Sequence, residues 1–321
     1  MDFSAAPPPE PDSSSPQFQS RPNSPNPLFY NETGLRPGWR ILLYLALAFF
    51  LYGILLVPIS FVFRTPPGAL SVSTIILGES MTFAAAFGAA IIMSRIEQQP
   101  AGVYGLVLAS AFGKRFWQGI FVGLCEISFL VGAVALCGGY SFGALEFHGE
   151  KIFRWGLLWL IASILIALPE EFLFRGYMQH TLAEGIGFWP AAIILSIIFG
   201  LVHTTNSGEN WIGVTSIVFT GLLWAFSLRR TGTLWFAVGW HAAFDFGESF
   251  LYSVPNSGGV FEGHLSNATV TSERVWLTGG KVGPEASVFA FLTLALGAVV
   301  VHFWFPAKQR REDTAAQQAK S

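Results

Sequence analysis

Charged residues are scarce in this sequence. Lys, Arg, Asp and Glu make up 12% of its 321 residues, which is about half the share found in soluble globular proteins. The net charge is only -2, so no basic excess indicates a nucleic-acid partner. Cysteine is scarcer still, with Cys125 and Cys137 alone. On a helix these two residues would lie about 18 Å apart along the axis, which is too far for a disulfide bond.

Apolar residues, in contrast, are abundant and form long runs without charge. They account for 52% of the chain, and a membrane-spanning helix needs about 20 such residues in succession. The pattern predicts an all-α fold, a polytopic membrane helix bundle with about eight transmembrane helices. The predicted spans are residues 41–63, 70–93, 116–138, 155–178, 188–204, 211–228, 233–251 and 286–305.

The polar segments predict the domain organisation and the orientation. Residues 1–40 are rich in Pro and Ser and bury too little apolar surface to fold, so we expect a disordered tail. Residues 41–306 are the predicted transmembrane domain, and residues 307–321 a polar tail. With the N-terminus inside, twelve Lys and Arg fall on the cytoplasmic side against five on the other, Arg175 left out. This asymmetry predicts cytoplasmic termini, in a plasma or inner membrane, and an outer loop at 252–285.

Three ionisable residues end one of the apolar runs. The stretch "LPEEFLFRGY" contains Glu170, Glu171 and Arg175, and a charge within a membrane costs about 2.5–3.5 kcal/mol or more. Glu171 and Arg175 are four residues apart, so on a helix they are expected to pair. Glu170 lies about 100° round the helix from Glu171. It therefore has no obvious local partner and is a candidate general base.

Two later runs supply further polar side chains. His203 ends "FWPAAIILSIIFGLVH", and "GWHAAFDF" contains His241 and Asp245 at the helical spacing of four. Such a His–Asp pair can bind a metal ion or fix the imidazole in one tautomer. Together the three runs could bind and deprotonate a water and stabilise an oxyanion. Glu248 continues the helical face of His241 and Asp245 one turn later. Three other ionisable residues in the spans are isolated and are predicted to be structural: Glu79, Glu126 and His302.

These three motifs resemble a known family. "EEFLFR" at 170–175 matches the EExxxR motif of the CAAX-protease and bacteriocin-processing family, which includes the Rce1-type prenyl-protein endopeptidases. "FGLVH" at 199–203 resembles its FxxxH motif, and "HAAFD" at 241–245 is similar to HxxxN or HxxxD. The motifs occur in the family's order, and the resemblance covers roughly residues 155–250, where we expect the protease core.

The resemblance implies an intramembrane endopeptidase. Its substrate would be a membrane-associated peptide or protein in the lipid bilayer, cleaved near its C-terminus or in its membrane-proximal segment. Glu170 would activate the water, helped by His203. His241 and Asp245 would polarise the scissile carbonyl or hold the oxyanion.

The resemblance also implies roles for the remaining motif residues, and the residue types themselves offer a candidate metal site. Glu171 and Arg175 would form a supporting pair. Asp245 stands where Rce1-type enzymes carry Asn, and an ionised Asp is a poorer oxyanion donor but a better metal ligand. His203, His241 and Asp245 therefore form a candidate zinc set, although no HExxH motif is present. We expect no required cofactor, with zinc as the alternative.

Two other functions remain open at this stage. The first is a non-catalytic membrane scaffold or a bacteriocin self-immunity protein of the same fold. The second is a proton-coupled transporter, because intramembrane Glu, His and Asp also form proton relays. Cleavage of a membrane-anchored peptide would distinguish the endopeptidase from both.

Overall fold

The computed structural model describes residue 26 and residues 28–31, 34–62 and 71–306, without the side chains of residues 60–62. The predicted tails therefore lie largely outside the described residues. Before the helical bundle, strand β1 (Tyr30–Asn31) pairs antiparallel with strand β2 (Gly34–Leu35). The helical unit begins at Pro37, a residue type that suits the first turn of a helix because its missing N–H would have no partner there.

The helical unit confirms the predicted all-α membrane bundle. Its helices are α1 (Pro37–Val62), α2 (Val72–Ile96), α3 (Lys114–Leu136), α4 (Glu150–Glu171), α5 (Gln179–Ile186), α6 (Phe188–Val202), α7 (Trp211–Thr231), α8 (Trp235–Phe246), α9 (Val275–Thr278) and α10 (Val288–Trp304).

The number of spans differs from the expectation of about eight. Within the described part of the chain, six helical stretches are long and apolar enough to cross a membrane: Pro37–Ile59, Val72–Ile96, Lys114–Leu136, Glu150–Ile186, Phe188–Thr205 and Trp211–Thr231. The predicted span 286–305 corresponds to α10, an apolar helix of only 17 residues. The predicted span 233–251 corresponds to α8, with 12 residues, and a π-helical turn at Gly247–Leu251. The count of eight is therefore not confirmed.

Helix α8 lies inside the bundle. All of its residues from Trp235 to Ala243 are buried, mainly against α3 and α4. Glycines permit the close approach to α3. A Cβ at Gly119 would lie 2.1 Å from the carbonyl oxygen of Phe236, and one at Gly239 would lie 2.2 Å from that of Phe116. Small residues at such crossings are typical of membrane helices, and here they bury the "GWHAAFDF" motif within the helical unit.

In contrast to the buried α8, the outer faces of other helices expose large apolar side chains. Phe49 is 81% exposed and Leu136 is 92% exposed. Exposure of this kind is costly in water and is expected where a helix faces lipid.

The predicted outer loop 252–285 contains regular structure. Strand β3 (Tyr140–Leu145) pairs antiparallel with β4 (Ser266–Val270), with Tyr140 opposite Val270. The loop also contains α9. The sheet therefore joins the segment that follows α3 to the loop that precedes α10.

A polar cluster around Glu97 contacts the segment at the end of the first motif. Arg40 on α1 donates from Nε to Oε1 of Glu97 at 2.9 Å and from Nη2 to Oε2 at 2.6 Å. The Tyr177 hydroxyl also donates to Glu97, and the Tyr104 hydroxyl does so at 3.2 Å. Burial opposes ionisation of Glu97, but these hydrogen bonds outweigh it and hold the pKa of its carboxyl below the usual value. Since Tyr177 is two residues after Arg175, the cluster restrains the end of the motif.

Candidate active site

A change of helix type forms the first motif. Helix α4 ends at Glu171 and continues as a π-helical segment, Phe172–Met178, in which Gly176 leaves the helical region with φ -84° and ψ -108°. Pro169 lies inside α4 and cannot donate a backbone hydrogen bond. Wide turns of this kind are frequent at functional sites. The sequence predicted an uninterrupted helix here, because no periodicity in "EEFLFR" marks the wider turn.

Glu171 and Arg175 form the ion pair that their spacing predicts. Nη1 of Arg175 lies 3.2 Å from Oε1 of Glu171, and both side chains are buried. The guanidinium carbon of Arg175 lies 4.1 Å from the centre of the Phe199 ring, a distance typical of a cation–π contact. The pair therefore anchors the first motif against the second.

His241 lies among three carboxylates. Its Nδ1 is 3.3 Å from Oε1 of Glu171, and its Nε2 is 3.5 Å from Oδ2 of Asp245 and 3.8 Å from Oε2 of Glu170. The Trp224 ring stacks on the imidazole, with 4.4 Å between the ring centres. A hydrogen bond to the Glu171 carboxylate places a proton on Nδ1. Nε2 is then directed at the two remaining carboxylates.

The imidazole ring of His203 is held by a hydrogen bond to the last turn of α6. Its Nδ1 lies 2.7 Å from the carbonyl oxygen of Phe199, and since a carbonyl only accepts hydrogen bonds, Nδ1 must carry the proton. Nε2 of the neutral ring is then an acceptor. The Phe199 ring meets the imidazole edge to face, with 4.6 Å between their centres. Phe199 thus contacts both Arg175 and His203, although the sequence identified it only as part of a motif.

Four of the six predicted site residues line one cavity of about 310 Å³: Glu170, His203, His241 and Asp245. Glu171 and Arg175 do not line it: Glu171 contacts Nδ1 of His241, and Arg175 contacts Glu171. The structure therefore brings the three motifs together. Four of the predicted site residues face the cavity, and the buried ion pair of Glu171 and Arg175 supports them through His241.

The same cavity contains four carboxyl side chains that the sequence did not assign to the site: Glu79, Glu126, Glu248 and Glu285. Glu79 and Glu126 could have been found, because an ionisable residue in an apolar span is itself a functional signal. Glu285 gave no such signal, since it belongs to a loop. Burial raises the pKa of the Glu285 carboxyl to about 7.

The candidate zinc set is not assembled in this conformation. Among the described residues, no three His, Cys, Asp or Glu side chains form a group that could hold a metal ion. His241 and Asp245 approach each other, with 3.5 Å between Nε2 and Oδ2, but the third predicted ligand, His203, is turned to the Phe199 carbonyl. Zinc binding therefore remains a prediction that this arrangement does not fit.

Comparison with known families supports the relationship seen in the motifs. Residues 152–247 match the model of the Rce1-like family, described as type II CAAX prenyl endopeptidase Rce1-like. This range includes all three motifs and confirms the predicted resemblance. Neither the curated proteins nor the solved structures contain a match. The match and the six apolar helices indicate an integral, multi-pass membrane protein.

Proposed function

We propose that this chain is an intramembrane endopeptidase. It cleaves a membrane-associated peptide or protein near its C-terminus or in a membrane-proximal segment. The observation that carries the proposal is that polar residues from each of the three motifs line one and the same cavity within the bundle. The match to an endopeptidase family over residues 152–247 supports the same reaction.

Glu170 is the general base in this proposal. Its side chain is 32% exposed and lies on the cavity, whereas Glu171 is buried in its pair with Arg175. Among the described residues, no side chain donates a hydrogen bond to the Glu170 carboxylate, so its oxygens are available to a water. His203 presents Nε2 as a second acceptor, which orients the same water. A positioned base of this kind contributes about 10²–10⁴-fold to the rate.

His241 stabilises the oxyanion. Nδ1–H is held by Glu171 at 3.3 Å, and in the imidazolium form Nε2–H donates to the oxygen that becomes negative. Asp245, at 3.5 Å from Nε2, stabilises that imidazolium and replaces the Asn of Rce1-type enzymes. One oxyanion donor contributes about 10²–10³-fold.

The proposed proton transfers follow from these positions. The water oxygen bonds to the scissile carbonyl carbon while Glu170 takes a water proton. The C–N bond then breaks, and the proton on Glu170 passes to the leaving amine. Glu171 and Arg175 touch no reacting atom and act by positioning His241.

Mass spectrometry of membrane-protein C-termini tests the proposed activity. Cells that express the wild-type protein should contain truncated membrane peptides that are absent from cells expressing Glu170→Gln at the same level. Identical C-termini in both would contradict the proposal and favour a scaffold or self-immunity protein.

We also propose that the reaction needs no zinc, because Glu170 and His203 already offer acceptors for the protons of a water. Elemental analysis of purified protein should give well under one zinc per chain, and activity should survive prolonged chelation. Stoichiometric zinc that is lost in both His203→Ala and His241→Ala, with activity restored only by added metal, would contradict this part of the proposal.

The orientation is a separate proposal that depends on the distribution of Lys and Arg. Both termini face the cytoplasm, so a reporter fused after residue 110 should read inside and one fused near residue 265 outside. The same sidedness at both sites would refute the orientation.

A further inference from the structure

The loop 252–285 brings an amide side chain into the cavity. Asn256 follows the π-helical turn Gly247–Leu251. Its side chain is buried and lines the same cavity as His241 and Asp245. Neither Asn256 nor the loop that contains it has a role in the reaction proposed above, so the presence of this polar group beside the reacting residues requires an explanation.

The Asn256 amide has two acceptors at the site. Its Nδ2 donates to Oγ of Ser249 at 3.1 Å, and the side chain also forms a hydrogen bond with the carboxylate of Asp245. An ionised carboxylate only accepts hydrogen bonds, so the amide N–H is the donor. Asp245 in turn lies 3.5 Å from Nε2 of His241. A continuous set of contacts therefore leads from the loop to the imidazole, and both amide protons are used within the protein.

A strained turn begins at Asn256. Asn256 and Gly259 exchange two backbone hydrogen bonds, at 2.9 and 2.8 Å. The two residues between them, Ser257 and Gly258, have φ angles of 47° and 84°, and two positive φ angles are the signature of a type I′ turn. A positive φ is unfavourable for Ser and persists only where the surroundings impose it. Strain of this kind is concentrated at functional sites.

Two other segments of the chain hold this turn. The N–H of Ser257 donates to Oε1 of Glu285 at 2.8 Å, and the N–H of Gly258 donates to the carbonyl oxygen of Val282 at 3.0 Å. The turn also packs against the connection between α6 and α7, because a Cβ at Gly258 would lie 2.6 Å from the carbonyl oxygen of Ser207. These contacts fix the position from which Asn256 reaches the cavity.

We propose that Asn256 is a positioning residue, whose amide holds the carboxylate of Asp245 and, through it, the imidazole of His241. This inference rests on the proposed endopeptidase function. Hydrogen bonds to a charged acceptor are about twice as strong as neutral ones, so the amide restrains rotation of the carboxylate that stabilises the imidazolium. Loop 252–285 is then a part of the active site and not only a connection between helices.

NMR tests the contact without any cleavage. The sequence contains seven asparagines, so full-length protein labelled only with ¹⁵N-asparagine gives few side-chain amide signals. The Asn256 signals are identified by their absence in Asn256→Gln. We expect their proton resonances to move upfield in Asp245→Ala, because the charge-assisted hydrogen bond is lost. Glu126→Gln is the control, since it removes a cavity carboxylate that is bonded to Trp240 instead, and it should leave these signals in place.

A double-mutant cycle tests the role of the contact. The measurement is the turnover of a membrane peptide identified from altered C-termini. Asn256→Ala should lower kcat about 10–100-fold through misplacement of the reacting groups and leave KM within about twofold, because Asn256 does not bind the substrate. In the Asp245→Ala background the same substitution should change kcat less than about twofold, since residues that act as a unit are not additive.

Asn267→Ala is the matched control for the cycle. It removes an amide from an exposed position in β4, in the same loop, and should keep wild-type turnover. Asn256→Ala is compared with this variant and with wild type at equal amounts of folded protein, so that a loss of stability is not counted as a loss of kcat.

Two outcomes would overturn the inference. They are unchanged Asn256 amide signals in Asp245→Ala, and an equal loss of kcat from Asn256→Ala with and without Asp245, which a purely structural role would produce. If Asn256→Ala does not fold, the spectra of wild type, Asn256→Gln and Asp245→Ala still decide. Failure of the endopeptidase function would appear as absent cleavage by wild type, whereas failure of this inference would leave wild-type cleavage intact.

Discussion

Removal of one member of the buried Glu171–Arg175 pair should destabilise the protein more than removal of both. In Arg175→Met, Glu171 keeps its charge in a fully buried position but loses the counter-ion at 3.2 Å, which costs about 3–5 kcal/mol. Loss of the cation–π contact with Phe199 at 4.1 Å adds about 0.5–2 kcal/mol. In the double variant Glu171→Gln/Arg175→Met, no buried charge remains unpaired. We therefore expect it to be about 2–3 kcal/mol more stable than Arg175→Met.

Unfolding in detergent by increasing denaturant, followed by tryptophan fluorescence, gives these free energies. Activity should respond differently, because the Gln cannot fix His241 as an ionised Glu171 does. Turnover should fall about 10–100-fold in the double variant, which therefore regains stability without regaining full activity. A double variant that is less stable than Arg175→Met would refute the account of the pair.

Two further predictions concern packing and pH. Gly221→Ala should lower stability by about 1–3 kcal/mol, because its Cβ would lie 2.6 Å from Nη2 of Arg175. Gly132→Ala, whose Cβ meets no atom within 4 Å, should not lower the melting temperature. The pKa of Glu97 is held below its usual value of about 4.5, so its stabilisation is present above that pH and is lost as the pH falls through the folded-state pKa. Below about pH 4.5 the melting temperature of wild type should therefore fall more steeply than that of Glu97→Gln, and parallel curves would contradict this role.

The local part of the site could be predicted from the sequence. Residues four apart on a helix are neighbours whatever the rest of the fold does. For this reason the spacing of Glu171 and Arg175, and of His241 and Asp245, was sufficient to predict both contacts. That the three motifs share one cavity followed only from the family resemblance, because no helical periodicity reports which helices pack together.

The features that were not predicted depend on long-range structure. Glu248 and Glu285 line the same cavity, although one lies in a helical turn and the other in a loop far along the chain, and no local pattern marks their proximity. The pairing of β3 with β4 is equally non-local, and "SNATV" has no strong alternation of apolar residues. Hydropathy also cannot tell whether the segment 233–251 crosses a membrane, since a helix surrounded by protein is as apolar as one that faces lipid.

The central claim is that Glu170 activates the water. Its most direct test is the turnover, in proteoliposomes, of a membrane peptide identified from altered C-termini, with Glu126→Gln as the control for loss of a cavity carboxylate. The account predicts that Glu170→Gln lowers turnover by about 10²–10⁴-fold with a melting temperature close to that of wild type. Wild-type turnover in Glu170→Gln would contradict it.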